Sequence, residues 1–172
     1  MPELTTSLAA VAAVVSLLAL SAFFSSSETA IFSLPAGWPA ERAAAGDRRA
    51  VHLDALREDP HRLLVTLLVG NNLVNVALSS VVTVLLVDAL PPGVAVTAAT
   101  VVVTSVVLVF GEIVPKSYGL GNNEAWALRV ARPVTLVGRL LRPLVSLFDA
   151  VTRSASRRLG GDADIEEPYL DD

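Results

Sequence analysis

The chain has 172 residues, 53% of them hydrophobic and 17% charged, with a formal net charge of −4. The absence of cysteine excludes a disulfide framework and a thiolate metal site. The negative balance belongs to the last residues, where Asp162, Asp164, Glu166, Glu167, Asp171 and Asp172 gather, so it says little about the rest of the chain.

The first element is an uncharged run from 4 to 27, preceded only by Glu3. It exceeds the ~18–20 apolar residues that cross the hydrocarbon core of a bilayer. With no basic residue ahead of it, it is expected to be a retained spanning helix and not a cleaved signal peptide. The connection from 35 to 62 is mixed in charge and is expected to hold a short solvated helix that ends before Pro60. Two further uncharged runs cover 63 to 87 and 89 to 111, with a turn around Asp88 and Pro91-Pro92-Gly93 between the second and third crossings. Three buried helices of a soluble domain would need charged outer faces, which these runs lack.

Residues 123 to 158 are apolar at spacings of three and four, but Arg139, Arg142 and Asp149 interrupt them. Each charge would cost ~2.5–3.5 kcal/mol near the centre of a spanning helix. An amphipathic helix at the membrane surface is therefore expected, kinked by Pro133 and Pro143; the alternative is a soluble helix that packs on a further domain. Residues 160 to 172 have linker composition, as if a cytosolic domain normally followed. The chain thus reads as an all-α membrane protein. A three-helix transmembrane domain covers 1–122, a cytoplasmic juxtamembrane amphipathic helix covers 123–159, and a linker covers 160–172.

Orientation follows the basic residues. Arg42, Arg48, Arg49, Arg57 and Arg62 lie between the first and second runs, and the other eight of the 13 lysines and arginines follow the third. Lysine and arginine are retained on the cytoplasmic side. Three crossings with the N-terminus outside place both groups inside, and the C-terminus with them.

Each crossing carries one polar cluster, and polar groups in hydrocarbon must find a partner or line a path. In the first, Ser21 and Ser25 share a helix face, followed by Ser26, Ser27 and Glu28. In the second, Asn71 and Asn75 share a face, with Asn72 beside them. The third holds Gly111-Glu112-Ile113-Val114-Pro115-Lys116. A proline removes the bond to the carbonyl four residues earlier, which would free the Gly111 carbonyl next to the Glu112 carboxylate as a half-site for a cation. Plainer readings stand beside these: serines bonded back to their own helix, asparagines that glue helices together, and Glu112 paired with Lys116. At a rise of ~1.5 Å per residue, Asn71 lies about 13 Å from Leu63 and Gly111 about 26 Å from Val94. The clusters could then meet in the inner half of the bilayer. Hydroxyl, amide, carbonyl and carboxylate oxygens without histidine or cysteine favour Mg²⁺, Ca²⁺ or Na⁺ over zinc or copper.

In these three motifs the chain resembles the transmembrane domain of the CorC/CNNM magnesium transporters, over essentially residues 1 to 160. The resemblance implies a homodimer and Mg²⁺ efflux, exchanged for Na⁺. It implies Ser21, Ser25, Asn71, Asn75, Gly111 and Glu112 as metal ligands, Pro115 as the helix kink, and Ser26 and Asn72 as secondary candidates. It also implies cytosolic CBS domains that follow in the full-length chain, so this sequence is expected to be part of a longer one. The expected setting is the plasma membrane, and the expected partners are lipid and a second copy, not nucleic acid. Two other functions remain open, a membrane anchor for a cytosolic regulatory domain and a cation channel. An enzyme is not expected, since no histidine or lysine base lies within a crossing to serve a serine nucleophile.

Overall fold

The computed structural model describes residues 2–159; Met1 and residues 160–172, with the expected linker, lie outside the described residues. The elements in chain order are α1 (Pro2–Phe32), α2 (Trp38–Ala44), α3 (Arg48–Arg57), α4 (Pro60–Val87), α5 (Pro92–Val106), a π-helical stretch (Val107–Ile113), α6 (Val114–Gly121), α7 (Asn123–Leu140) and α8 (Arg142–Leu159). No strand occurs among the described residues. Among the described residues, three stretches are long and apolar enough to cross a membrane: Leu8–Phe32, Pro60–Val87 and Pro92–Gly121. The third outruns the uncharged segment that announced it. Glu112 and Lys116 end that segment, but the backbone stays helical through both.

The chain divides into two compact units. The first takes residues up to 29 and 71–121, that is most of α1, most of α4, α5, the π stretch and α6. Its packing is that of helices in lipid, where association depends on close fit and polar contacts and not on hydrophobic burial. Leu78 of α4 packs with Val103 and Val107, against Val14, Leu17 and Leu18 of α1 and Val82 of α4. Ala95 and Ala99 are buried four residues apart on α5, where small side chains let helices approach closely. Valines and leucines on the other faces, among them Val76, Val84 and Val101, are exposed as lipid-facing residues must be.

The second unit takes residues 30–70 and those from 122 onward. The connection expected to hold one short helix holds two, α2 and α3. Gly37 and Gly46 turn the chain at φ +81° and +96°, a region that only glycine occupies at ease. Asp47 caps α3 by accepting the Arg49 amide at 2.9 Å. The bonds from Arg49, the backbone amide foremost, hold the Asp47 carboxyl below its ordinary range. Arg57 donates to the carbonyls of Leu34 and Pro35, both at 3.1 Å, just beyond the end of α1, and its burial pushes its guanidinium below the usual value. α3 ends there, ahead of Pro60, which opens α4 at a position that needs no N–H donor.

The segment expected to be one kinked surface helix is two helices. Pro133 sits inside α7 without ending it. Pro143 lacks the N–H that would reach Arg139, so α7 stops at Leu140 and α8 starts at Arg142. The apolar face of α7, Ala127, Leu128, Val130, Ala131 and Val134, is buried, and α7 packs against α3 of the same unit. Its partner is thus the loop between the first two crossings. Leu136, Leu140, Leu147 and Phe148 stay exposed, the apolar surface that a membrane-surface helix would present.

Candidate functional site

The polar clusters of all three crossings belong to the first unit. Ser21 is fully buried and its hydroxyl donates to Asn71 Oδ1 at 3.2 Å. The third helix meets the same hydroxyl at Gly111. A Cβ on Gly111 would lie 2.7 Å from Ser21 Oγ, closer than real side chains come, with Val107 Cγ1 at 3.3 Å. Glycine at 111 is therefore what allows Ser21 to reach that backbone. A second close approach lies about two turns further along the third crossing. Gly119 of α6 stands against the backbone carbonyl of Ser26, too tightly for any side chain.

The π-helical stretch covers Gly111 and Glu112. Wide turns of this kind are rare and frequent at functional sites. The N–H of Val114 bonds the carbonyl of Val109, five residues back. Pro115, the next residue, has no N–H to donate, and the residues behind it are wound as a π-helix, so the count of four that points to the Gly111 carbonyl is that of a regular α-helix. Gly111 also matters for the absence of a side chain, which lets Ser21 come close.

Glu112 and Lys116 do not pair. Lys116 Nζ lies 3.6 Å from Glu28 Oε1, because α6 runs beside the end of α1 in this unit. Glu112 instead lines an open cleft of about 360 Å³ with Asn72, Asn75, Ser79, Thr100 and Thr104, and forms no ion pair with a described residue. Among the described residues it is the cleft's only charged side chain. Among the described residues no three acidic, histidine or cysteine side chains come together, so a cation here would meet neutral oxygens and one carboxylate.

Among the described residues, three buried polar side-chain atoms have no hydrogen-bond partner: Ser25 Oγ, Ser27 Oγ and Asn75 Oδ1. An unsatisfied buried polar group costs ~1–3 kcal/mol, and in a membrane helix water cannot easily make it good. The plainer reading of the serines, bonding back to the helix, holds for Ser26, whose hydroxyl reaches the Phe23 carbonyl at 3.2 Å. It does not hold for Ser25. Ser27 belongs to the polar cluster read from the sequence but is not among the expected ligands. It is as buried as Ser25 and as unsatisfied, and only its place in the run Ser25-Ser26-Ser27 could have pointed to it.

The geometry thus brings Ser21, Asn71 and Gly111 together, and sets Asn72, Asn75 and Glu112 around one cleft. Ser25 is buried one turn along α1 from Ser21, and Pro115 is buried just past the π stretch. The chain matches the family model of the Cyclin M transmembrane N-terminal domain, CNNM, over residues 12–172. It is similar to the UPF0053 inner membrane protein YfjD of Escherichia coli, 38% identical over 85% of this chain and 34% of that protein. A UPF0053 protein of Haemophilus influenzae is 34% identical over 89% of this chain and 36% of its own length. A chloroplastic DUF21 domain-containing protein of Arabidopsis thaliana is 34% identical over 90% of this chain and 23% of its own. The chain spans about a third or less of the length of these relatives, which therefore carry further regions. With three crossing helices and a match that runs through all of them, it is a multi-pass membrane protein that belongs to the CNNM transmembrane-domain family.

Proposed function

We propose that this domain exports Mg²⁺ across the plasma membrane in exchange for Na⁺, through one intramembrane site formed by Ser21, Ser25, Asn71, Asn75, Gly111 and Glu112. The observation that carries this reading is the set of unsatisfied buried oxygens, Ser25 Oγ and Asn75 Oδ1, in the unit where Ser21, Asn71 and Gly111 are in contact and Glu112 forms no ion pair with a described residue. Unsatisfied hard oxygens in a crossing helix are what a hard cation would satisfy. About six oxygens suit an octahedral ion such as Mg²⁺. A single carboxylate leaves the bound divalent ion with a net positive charge in low dielectric, which weakens retention and suits release. Two Na⁺ carry the same charge as one Mg²⁺ and can use the same oxygens in alternation.

The arginine distribution supports an N-terminus outside and a C-terminus in the cytoplasm. The greater length of the relatives supports cytosolic regulatory domains, of the CBS type by family resemblance, in the whole protein. Thr100, Thr104 and Ser105 form an exposed face of small residues, suited to a homodimer contact between third helices.

The test is ion selectivity followed by coupling. Mg²⁺ at ~100 times its dissociation constant should add about 2.7 kcal/mol to the stability of the purified chain. Ca²⁺ should not reproduce this, and high Na⁺ should compete. In proteoliposomes a Na⁺ gradient should then drive Mg²⁺ uphill. Mg²⁺ flux that ignores Na⁺ would favour a channel, and no ion-specific effect of any kind would favour a membrane anchor.

A further inference from the structure

The second unit contains a basic cleft that the transport reading does not use. It measures about 330 Å³ and opens between the start of α4 and the junction of α7 with α8. Its charged side chains are Arg62, Arg139, Arg142 and Asp59. None of the three arginines forms an ion pair with a described residue. The one acid is already engaged, since Asp59 Oδ1 accepts the Arg62 amide at 2.9 Å and caps α4. The walls are held close by small contacts: Gly138 of α7 lies against Thr66 of α4, where a Cβ would sit 3.6 Å from Thr66 Cγ2.

We propose that this cleft binds the phosphate of an anionic phospholipid. Arginine presents a planar fork of donors that matches phosphate oxygens, and three around one cleft with a single acid leave it electropositive. The depth of the cleft identifies the source of the phosphate. Arg62 is the last charge before the uncharged run 63–87 of α4, so the cleft stands where that helix enters the hydrocarbon. That is the level of lipid headgroups, and basic pockets there recognise anionic lipids. Beside the cleft residues on α7, Leu136 is 67% and Leu140 77% exposed. A soluble phosphate has no use for this apolar flank, whereas acyl chains do.

The experiment is a thermal melt of the purified chain in phosphatidylcholine-containing micelles, with phosphatidylglycerol titrated in. Wild type should gain stability from phosphatidylglycerol. At ~1 kcal/mol per arginine near an anionic surface, the double variant Arg139→Gln/Arg142→Gln should need about thirtyfold more of the lipid. Arg132→Gln, an exposed arginine of α7 outside the cleft, should respond as wild type does. If the double variant melts below wild type in phosphatidylcholine alone, Arg139→Lys with Arg142→Lys, which keep the charge but lose the fork, should still show a weakened response. Equal stabilisation by both lipids, or an unchanged response in the cleft variants, overturns the proposal. Stabilisation by inorganic phosphate to the same extent, without the lipid, overturns the lipid as occupant.

Discussion

Gly111→Ala offers the sharpest test of the contact at the centre of the site. The added methyl would lie 2.7 Å from Ser21 Oγ, 3.3 Å from Val107 Cγ1 and 3.4 Å from Ser21 Cβ. Ser21 has little room to yield, since it is fully buried and its hydroxyl is held by Asn71. Overpacking a filled site costs ~1–3 kcal/mol, and a clash this short against a tethered group belongs to the upper part of that range. Alanine in place of glycine returns up to ~1 kcal/mol of helix propensity. A net loss of about 1–2 kcal/mol is expected, which is roughly 2–8 °C in melting temperature for a chain of this size. The control is the same change in a Ser21→Ala background. Without the hydroxyl the nearest remaining atoms stand at 3.3 and 3.4 Å, close to ordinary contact, so Gly111→Ala should then cost little. A coupling of about 1 kcal/mol or more should separate the two backgrounds. Both singles and the double variant should lose Mg²⁺ transport, because each disturbs an oxygen or its approach. An identical cost of Gly111→Ala in both backgrounds would refute the contact, and normal transport by the Gly111→Ala variant would refute its role.

Ser25→Ala removes a hydroxyl that has no partner, so in chelator it should melt at or above wild type. In Mg²⁺ it should lose most of the wild-type gain; full Mg²⁺ stabilisation of this variant would remove Ser25 from the ligand set. Cysteines at positions 91 or 92 should label from outside intact cells and a cysteine at 48 should not; the reverse pattern would invert the proposed orientation. Cysteines at Thr100 or Thr104 should crosslink two copies within membranes, and only monomer at every position on that face would refute the dimer contact.

The crossings were legible because charge is absent from them for longer than any soluble helix tolerates. The polar clusters were legible for the same reason, since asparagine and serine stand out in such runs. What was not legible is register. A proline four residues beyond Gly111 predicts a freed Gly111 carbonyl from the count of a regular α-helix, and Val107–Ile113 are wound as a π-helix instead. Sequence gives no warning of a π turn, which depends on how three helices fit together. The partner of Lys116 was hidden likewise. Glu112 is four residues away in sequence, yet the approach of Gly119 to the Ser26 backbone brings Glu28 within reach instead. The face of α7 was visible as amphipathic, but α3 as its partner was not. The helical pattern of α3 is short and largely polar, and its buried residues are only Ala50 and Leu53.

The central claim is that a cation crosses on oxygens gathered around one carboxylate, and Glu112→Gln tests it most directly. The change keeps the shape of the side chain and removes its charge from a cleft lined by no other charged side chain among the described residues. Mg²⁺ flux should be measured in proteoliposomes for wild type and variant, alongside their melting temperatures without Mg²⁺. The account predicts robust flux for wild type and flux at the protein-free background for Glu112→Gln, with both chains equally folded. Near-normal flux by a folded Glu112→Gln chain would contradict it.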